Sequence, residues 1–351
     1  MYFLILYTKI MKGISMKNKK YLIIDSRPYG LFSIFLHTID CIKWAEDNNY
    51  IPFIRWKSGR VNINHNREGA EEATFNGDPK YVKDKNNFIT KNKIENNSKP
   101  CLYAENENDN VWDYYFEKIN KVTEEEASAG ENVVSDIFMC GELDFNLENK
   151  FLIRNMHSYD ALKLWSITGT SIEKEHRKEV YKLIKKYINV KDNILQRVEK
   201  FKNIKMNSEL LIGVHVRGTD KKTEYPFRQL TIDSYADEIR KIIQKNSDKN
   251  YKIYIASDNN EAIIKIADIF GKEKIVAFPS TRMPNFYGST PICLFDKIEK
   301  RKHGEETLIE MLLLSNCGYI IGTDSNFTAA ASYFNPDADL VFLNRINGVK
   351  S

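Results

Sequence analysis

The sequence contains no Cys-x-x-Cys pair. Its five cysteines, Cys41, Cys101, Cys140, Cys293 and Cys317, are odd in number and widely spaced. That pattern argues against a disulfide framework and against a structural zinc site, and it predicts a reducing compartment, the cytoplasm. Also missing are the Gly-x-Gly-x-x-Gly turn of dinucleotide enzymes and the Gly-x-x-x-x-Gly-Lys-Ser/Thr loop of P-loop NTPases, which disfavours an NAD dehydrogenase or an NTPase. There is no marked excess of one charge. The chain has 52 basic and 48 acidic residues, a formal net charge of +4, and the two signs alternate along it. A nucleic-acid binder usually concentrates its basic charge on one face or tail, so nucleic acid is not an expected partner, while a local basic pocket for a phosphorylated ligand stays open. No segment is apolar enough to span a bilayer. The run Tyr2 to Tyr7 is far too short. It lacks a basic stretch before it and a small-residue cleavage site after it, so it does not read as a signal peptide. A chain starting at Met16 is the plain alternative, and the expectation is a soluble protein.

What is present points to two domains, since 351 residues exceed one ordinary core and 42% of them are apolar. Tyr21 to Asp25 reads as a buried strand, followed by the turn Arg27-Pro28-Tyr29-Gly30. Leu31 to Asp47 carries Ile34, Phe35, Ile39, Ile42 and Trp44 at helical spacing, and Tyr50 to Trp56 reads as the next strand. This is an α/β beginning. Residues 57 to 110 are polar and give no order. An aromatic stripe from Val111 to Lys121, with Trp112, Tyr115 and Phe116, predicts a helix packed on the first domain, with a platform for a sugar acceptor as the other reading. Helices are expected over Glu173 to Ile188 and, capped by Asp192, over Asp192 to Lys202.

From about residue 207 the alternation is regular. Strands are predicted at Leu210 to Val216, Tyr251 to Ala256, Lys274 to Phe278, Tyr319 to Gly322 and Leu340 to Leu343. Helices are predicted at Asp233 to Gln244, Asn259 to Phe270, Glu305 to Asn316 and Asn326 to Phe334. Such alternation means a mostly parallel sheet covered on both faces, with ligands at the carboxyl ends of its strands.

Three polar clusters follow those strand ends. In Gly213-Val214-His215-Val216-Arg217-Gly218-Thr219-Asp220, His215 and Arg217 alternate and so point to one side. Arg217 offers a planar fork suited to phosphate, and Asp220 can orient it; the plain alternative is a strand-end ion pair beside a satisfied histidine. Asp258 follows the second strand. It is either a helix cap or a carboxylate for an N–H-bearing base, the cap then falling to Asn259. Gly322-Thr323-Asp324-Ser325-Asn326 opens a helix, where backbone N–H groups and the hydroxyls of Ser325 and Thr328 suit a diphosphate, or simply cap the helix.

The ordered set HVRGTD, ASD, ETLIEMLLLSNC, YIIGT and DSNFT resembles the HxRxxD fucosyltransferase group. That group comprises the α1,6-fucosyltransferases, the nodulation fucosyltransferase and the protein O-fucosyltransferases. The match covers roughly the last 150 residues in order. The resemblance implies an α/β, GT-B-like arrangement: two Rossmann-like domains with parallel sheets facing a cleft. Residues 16–205 would be the acceptor-side domain and 206–351 the nucleotide-sugar-binding one. It implies an inverting, metal-independent glycosyltransferase with a GDP-sugar donor, GDP-fucose, and no separate cofactor. By the same resemblance Arg217 meets the β-phosphate, His215 lies near the nucleoside, Asp258 reads guanine, and Asp324, Ser325, Asn326 and Thr328 form the loop at the phosphates. Gly218 stands where the α1,6 enzymes have a second arginine, which leaves the linkage open. Another GDP-sugar such as a heptose donor, or a carbohydrate- or GDP-binding protein without turnover, are the rival readings. The composition, rich in Lys, Asn and Ile, suggests a bacterial glycan as the acceptor, membrane-associated or not. Nothing in the sequence speaks to the oligomeric state.

Candidates for a base are Asp25, Asp40 and Glu224, each of a type more often found on a surface or at a cap. No metal is expected. Asp337-Ala338-Asp339 reads as a turn, and His303 with Glu306 as a cap and a solvated face. The long stretch between Pro279 and Arg301 is of a length that often carries function, and its Arg282, Tyr287 and Arg301 are candidates to line the cleft.

Overall fold

The structure, a computed structural model, describes residues 19–26, 30–60, 98–106, 108–129, 131–135, 174–217, 231–282, 298–323 and 325–343. The run Tyr2 to Tyr7, Met16, the turn at residues 27–29, Cys140, Gly218, Asp220, Glu224, Tyr287, Cys293 and Asp324 lie outside these residues. Internal contacts divide the chain into two units. The first takes the described residues of Met1–Tyr29, Cys41–Trp112 and Lys118–Lys150; the second takes those of Gly30–Asp40, Asp113–Glu117 and Phe151–Ser351.

In the first unit, Lys20–Asp25 (β1) buries Tyr21, Leu22, Ile23 and Ile24, because a strand covered on both faces must be apolar on both. The helix Leu31–Asp47 (α1), whose residues Leu31–Asp40 belong to the second unit, is the crossover that returns the chain to Ile51–Arg55 (β2), parallel to β1. Ser58–Arg60 (β3) and Ser98–Pro100 (β4) pair antiparallel. A short helix, Trp112–Tyr115 (α2), of which Asp113–Tyr115 belong to the second unit, precedes Glu124–Ala129 (α3), which sets Ala127 into the core around Tyr21 and Ile23. Glu131–Ser135 (β5) completes a parallel sheet of order β2-β1-β5.

The second unit holds Lys174–Tyr187 (α4), Asp192–Lys205 (α5) and a doubly covered sheet. Leu210–Val216 (β6), Ile232–Lys245 (α6), Tyr251–Ser257 (β7), Asn260–Phe270 (α7) and the two-residue Ile275–Val276 (β8) come first. Lys300–Ser315 (α8), Tyr319–Gly322 (β9), Asn326–Phe334 (α9) and Asp339–Phe342 (β10) follow. Among the described residues all pairings in this sheet are parallel, in the order β10-β9-β6-β7-β8. β6 is the first strand and sits in the middle. The chain winds to one side through β7 and β8, then crosses back to the other through β9 and β10. The core gathers Ile212, Val214, Ile239, Ile253, Ile255 and Ile266 between sheet and helices. Each such aliphatic chain stabilises the fold by ~1.5–3 kcal/mol on full burial. α8 is buried nearly all round from Leu308 to Ser315, as an apolar helix in the middle of a layer should be.

Several expectations are corrected. The stripe from Val111 to Lys121 is not one helix on the first domain. Phe116 leaves α2 to form an antiparallel bridge with Val190, tied by Glu117 N–H to Asn189 O (2.8 Å) and Lys191 N–H to Tyr115 O (3.0 Å). Tertiary pairing overrides the helical spacing there, and Phe116 stacks on Phe35 of the second unit (5.6 Å). Lys191, not Asp192, holds the N-cap position of α5, without a side-chain cap. Only Ile275 and Val276 of the predicted strand Lys274 to Phe278 pair, because a 3-10 turn, Lys272–Lys274, occupies its start. α8 begins at Lys300 rather than Glu305. Glu306 is not on a solvated face: it is buried and accepts Thr281 N–H at 2.8 Å, while His303 is half-buried. By contacts α4 and α5 fall in the second unit.

Candidate functional site

In a doubly wound sheet, the crevice opens at the carboxyl ends of the two neighbouring strands from which the chain departs in opposite directions. Here those strands are β6 and β9, paired from Ile212↔Tyr319 to Val214↔Ile321. The polar ends just beyond that pairing are His215 and Arg217 on one side and Thr323 and Ser325 on the other.

His215 is buried. Its Nδ1 lies 2.8 Å from Thr328 Oγ1, and its ring stacks on Phe327 with centroids 4.5 Å apart and planes at 23°. Phe327 in turn meets the ring of Phe32 edge-on at 5.3 Å. Burial, and then the nearby Arg217 charge, lower the His215 pKa from 6.5 to about 3. The ring is therefore neutral at physiological pH, and among the described residues only Thr328 bonds it. Gly322 makes this contact possible: a Cβ there would lie 2.5 Å from Thr328 Oγ1 and 2.6 Å from its Cγ2. Thr328 thus turns inward, where its hydroxyl orients the histidine.

Ser325 caps α9, its Oγ accepting Phe327 N–H at 3.3 Å, and its own N–H donates to Thr323 O at 2.7 Å. Thr323 is buried, and its Oγ1 has no partner among the described residues; Asn326 Oδ1 has none either. A helix N-terminus flanked by polar atoms and a guanidinium suits an anion. Arg217 is half-buried at the end of β6. Asp220, its expected orienting partner, and Asp324 lie outside the described residues.

One strand along, Asn259 caps α7, with Oδ1 accepting Glu261 N–H at 2.6 Å. Asp258 is therefore not the cap. It sits half-buried just past β7, and its charge is felt by Glu310 of α8. Burial raises the Glu310 pKa to about 7, against the lowering influence of Arg282, whose guanidinium pairs with it, and of Ser280 Oγ, which donates to it at 2.8 Å. Sequence reasoning missed Glu310; a lone carboxylate inside Leu308-Ile309-Glu310-Met311-Leu312 was the available signal. It also missed Phe327 as the ring under His215.

Of the base candidates, Asp25 has both oxygens taken by Arg55 (2.7 and 2.9 Å) at the adjoining strand end of the first unit. Asp40 is buried within the second unit, in electrostatic reach of Tyr333. Neither is a surface or capping residue. Arg301 lies over the Tyr114 ring (4.8 Å), and its carbonyl accepts Tyr115 Oη–H. Asp337 falls in a turn and pairs with Lys174 at 3.0 Å. Among the described residues no group of His, Cys, Asp and Glu is placed to hold a metal ion, and no helix is long and apolar enough to cross a membrane.

No protein-family model and no curated protein matches this chain. Solved structures do. The fucosyltransferase NodZ from Bradyrhizobium is 16% identical, with a TM-score of 0.46 over 90% of this chain and 92% of that one. A variant of Arabidopsis thaliana FUT1 in complex with GDP is 12% identical, with a TM-score of 0.44 over 94% and 72%. POFUT1 in complex with GDP is 10% identical, with a TM-score of 0.42 over 93% and 99%. Likeness at this level leaves the functional reading to the chain's own strand order and side chains.

Proposed function

We propose that this protein is a glycosyltransferase that binds a GDP-sugar, GDP-fucose by the motif resemblance, at the β6–β9 switch point. One observation carries the reading: Arg217 and the N-terminus of α9 stand at neighbouring strand ends, together with a buried, neutral His215. In transfer, the bond from the sugar C1 to the β-phosphate oxygen breaks, and its electron pair leaves with GDP. The acceptor hydroxyl oxygen bonds C1 from the opposite face, inverting it, and gives up its proton to a base. Negative charge develops on the departing phosphate. A fixed guanidinium and oriented N–H groups stabilise it there without reorganising. That supply of positive charge makes a divalent cation unnecessary in this reading. His215, uncharged, donates or accepts one hydrogen bond to the nucleoside, and Asp258 accepts from the guanine edge.

Calorimetric titration with GDP, UDP and ADP, first without metal and then with Mg²⁺, tests the assignment. Metal-free binding of GDP in preference to the others supports it and leads on to turnover with GDP-fucose and a GDP-heptose. Preference for UDP or ADP, or no binding, removes it and leaves only the fold. GDP binding without turnover on any donor would mark a binding protein. Asp258→Asn should lower the preference for GDP over ADP. A loss seen only in Glu310→Gln would move the base-reading role to α8.

A further inference from the structure

Arg282 lies just past β8 and makes four hydrogen bonds from one guanidinium. Nε donates to Ser257 O (3.0 Å), Nη1 to Ser280 O (3.1 Å), and Nη2 to Phe278 O (2.6 Å) and to the Glu310 carboxylate. The Arg282 and Glu310 side chains are only 7% and 10% exposed. One turn earlier on α8, Glu306 takes the N–H of Thr281, so the helix grips Ser280, Thr281 and Arg282 in succession. Ser257 is the residue before Asp258, and its hydroxyl donates to the carbonyl of Val216, the residue before Arg217 (2.7 Å). A single buried fork thus reaches the backbone of one strand end directly and of the next through one serine. Matching three carbonyls and a carboxylate at once needs the planar guanidinium; an ammonium has neither the Nε donor nor the fixed fork.

We propose that Arg282 is a positioning residue for nucleotide recognition: it holds the end of β7 so that Asp258 faces the base, with no contact of its own to the ligand. This rests on the reading of the site as a GDP-sugar site. Arg282→Lys keeps a positive charge opposite Glu310 but not the fork. Titrated with GDP, ADP and inorganic pyrophosphate, the variant should lose about tenfold of the preference for GDP over ADP, the scale of one misplaced hydrogen-bonded contact. Its affinity for pyrophosphate should stay at the wild-type level. An unchanged preference, or an equal loss for all three ligands, overturns the proposal, the second outcome marking a purely structural brace. Should Arg282→Lys fail to fold, Arg282→Gln, which retains an N–H for Ser257 O, takes its place with the same outcomes. If the wild-type protein shows no preference for GDP, the nucleotide reading falls separately. Crystal structures of wild type and variant then decide: a displaced Ser257 carbonyl and Asp258 support the positioning role, and superimposable strand ends overturn it.

Discussion

His215 and Glu310 shift in opposite directions within one unit, and the signs are measurable. For His215 the folded pKa of about 3 lies below the ordinary 6.5, so between those values the unfolded chain binds the extra proton. Its contribution to stability is present above pH 6.5 and lost as the pH falls toward 3. The melting temperature of wild type minus that of His215→Gln should therefore shrink on acidification from pH 7 to pH 4. For Glu310 the folded pKa of about 7 lies above 4.5, and the folded chain holds the proton. Wild type minus Glu310→Gln should instead shrink as the pH rises from 4.5 through 7. Identical slopes for the two pairs would contradict the buried placements. Arg217→Ala should lose ~3 kcal/mol or more of transition-state stabilisation, the scale of deleting one preorganised donor, with an unchanged melting temperature. Wild-type kcat/KM in that variant would remove Arg217 from the mechanism. At this scale the sequence displayed the residues but not their partners. His215 and Arg217 were legible because they alternate at a strand end. That Thr328 serves His215 was not, because the contact spans many residues of chain and depends on Gly322 lacking a side chain.

Elements were legible where local chemistry and tertiary packing agree. α1 and α9 run over the predicted residues, and Asn259 and Ser325 cap α7 and α9 with side-chain oxygens. Legibility failed where a distant partner decides, as at Phe116 and its bridge to Val190. The seating of α9 on β9 is the element on which the site depends most. Gly322→Ala would press a methyl group into Thr328 and push the helix outward. The expected loss is ~1–3 kcal/mol by urea denaturation, together with weakened GDP binding. An unaltered midpoint would show that the helix can shift without cost.

For the molecule as a whole, the sequence conveyed an α/β chain with parallel sheets. It did not convey that the second unit recruits Gly30–Asp40 and Asp113–Glu117 from far upstream. Phe35 stacks on Phe116 and lies 5.8 Å from Phe334, and Arg177 donates to Ala338 O at 2.8 Å. A fragment of residues 206–351 lacks α1, α4 and α5 and leaves these surfaces bare. It should be aggregated or unfolded by circular dichroism and protease digestion, whereas the full chain is protected. A cooperatively melting fragment would contradict that division.

The strand order has a kinetic consequence. β6 and β7 are joined through α6 and can pair early, but β9 reaches β6 only after the whole β7-to-α8 excursion has been laid down. Closing so long a loop delays the pairing. The β6 and β9 ends that lead to Arg217 and Ser325 come together only with that closure. A ligand seated there should slow unfolding in stopped-flow experiments while leaving the refolding rate nearly unchanged, because its contacts are absent from the transition state.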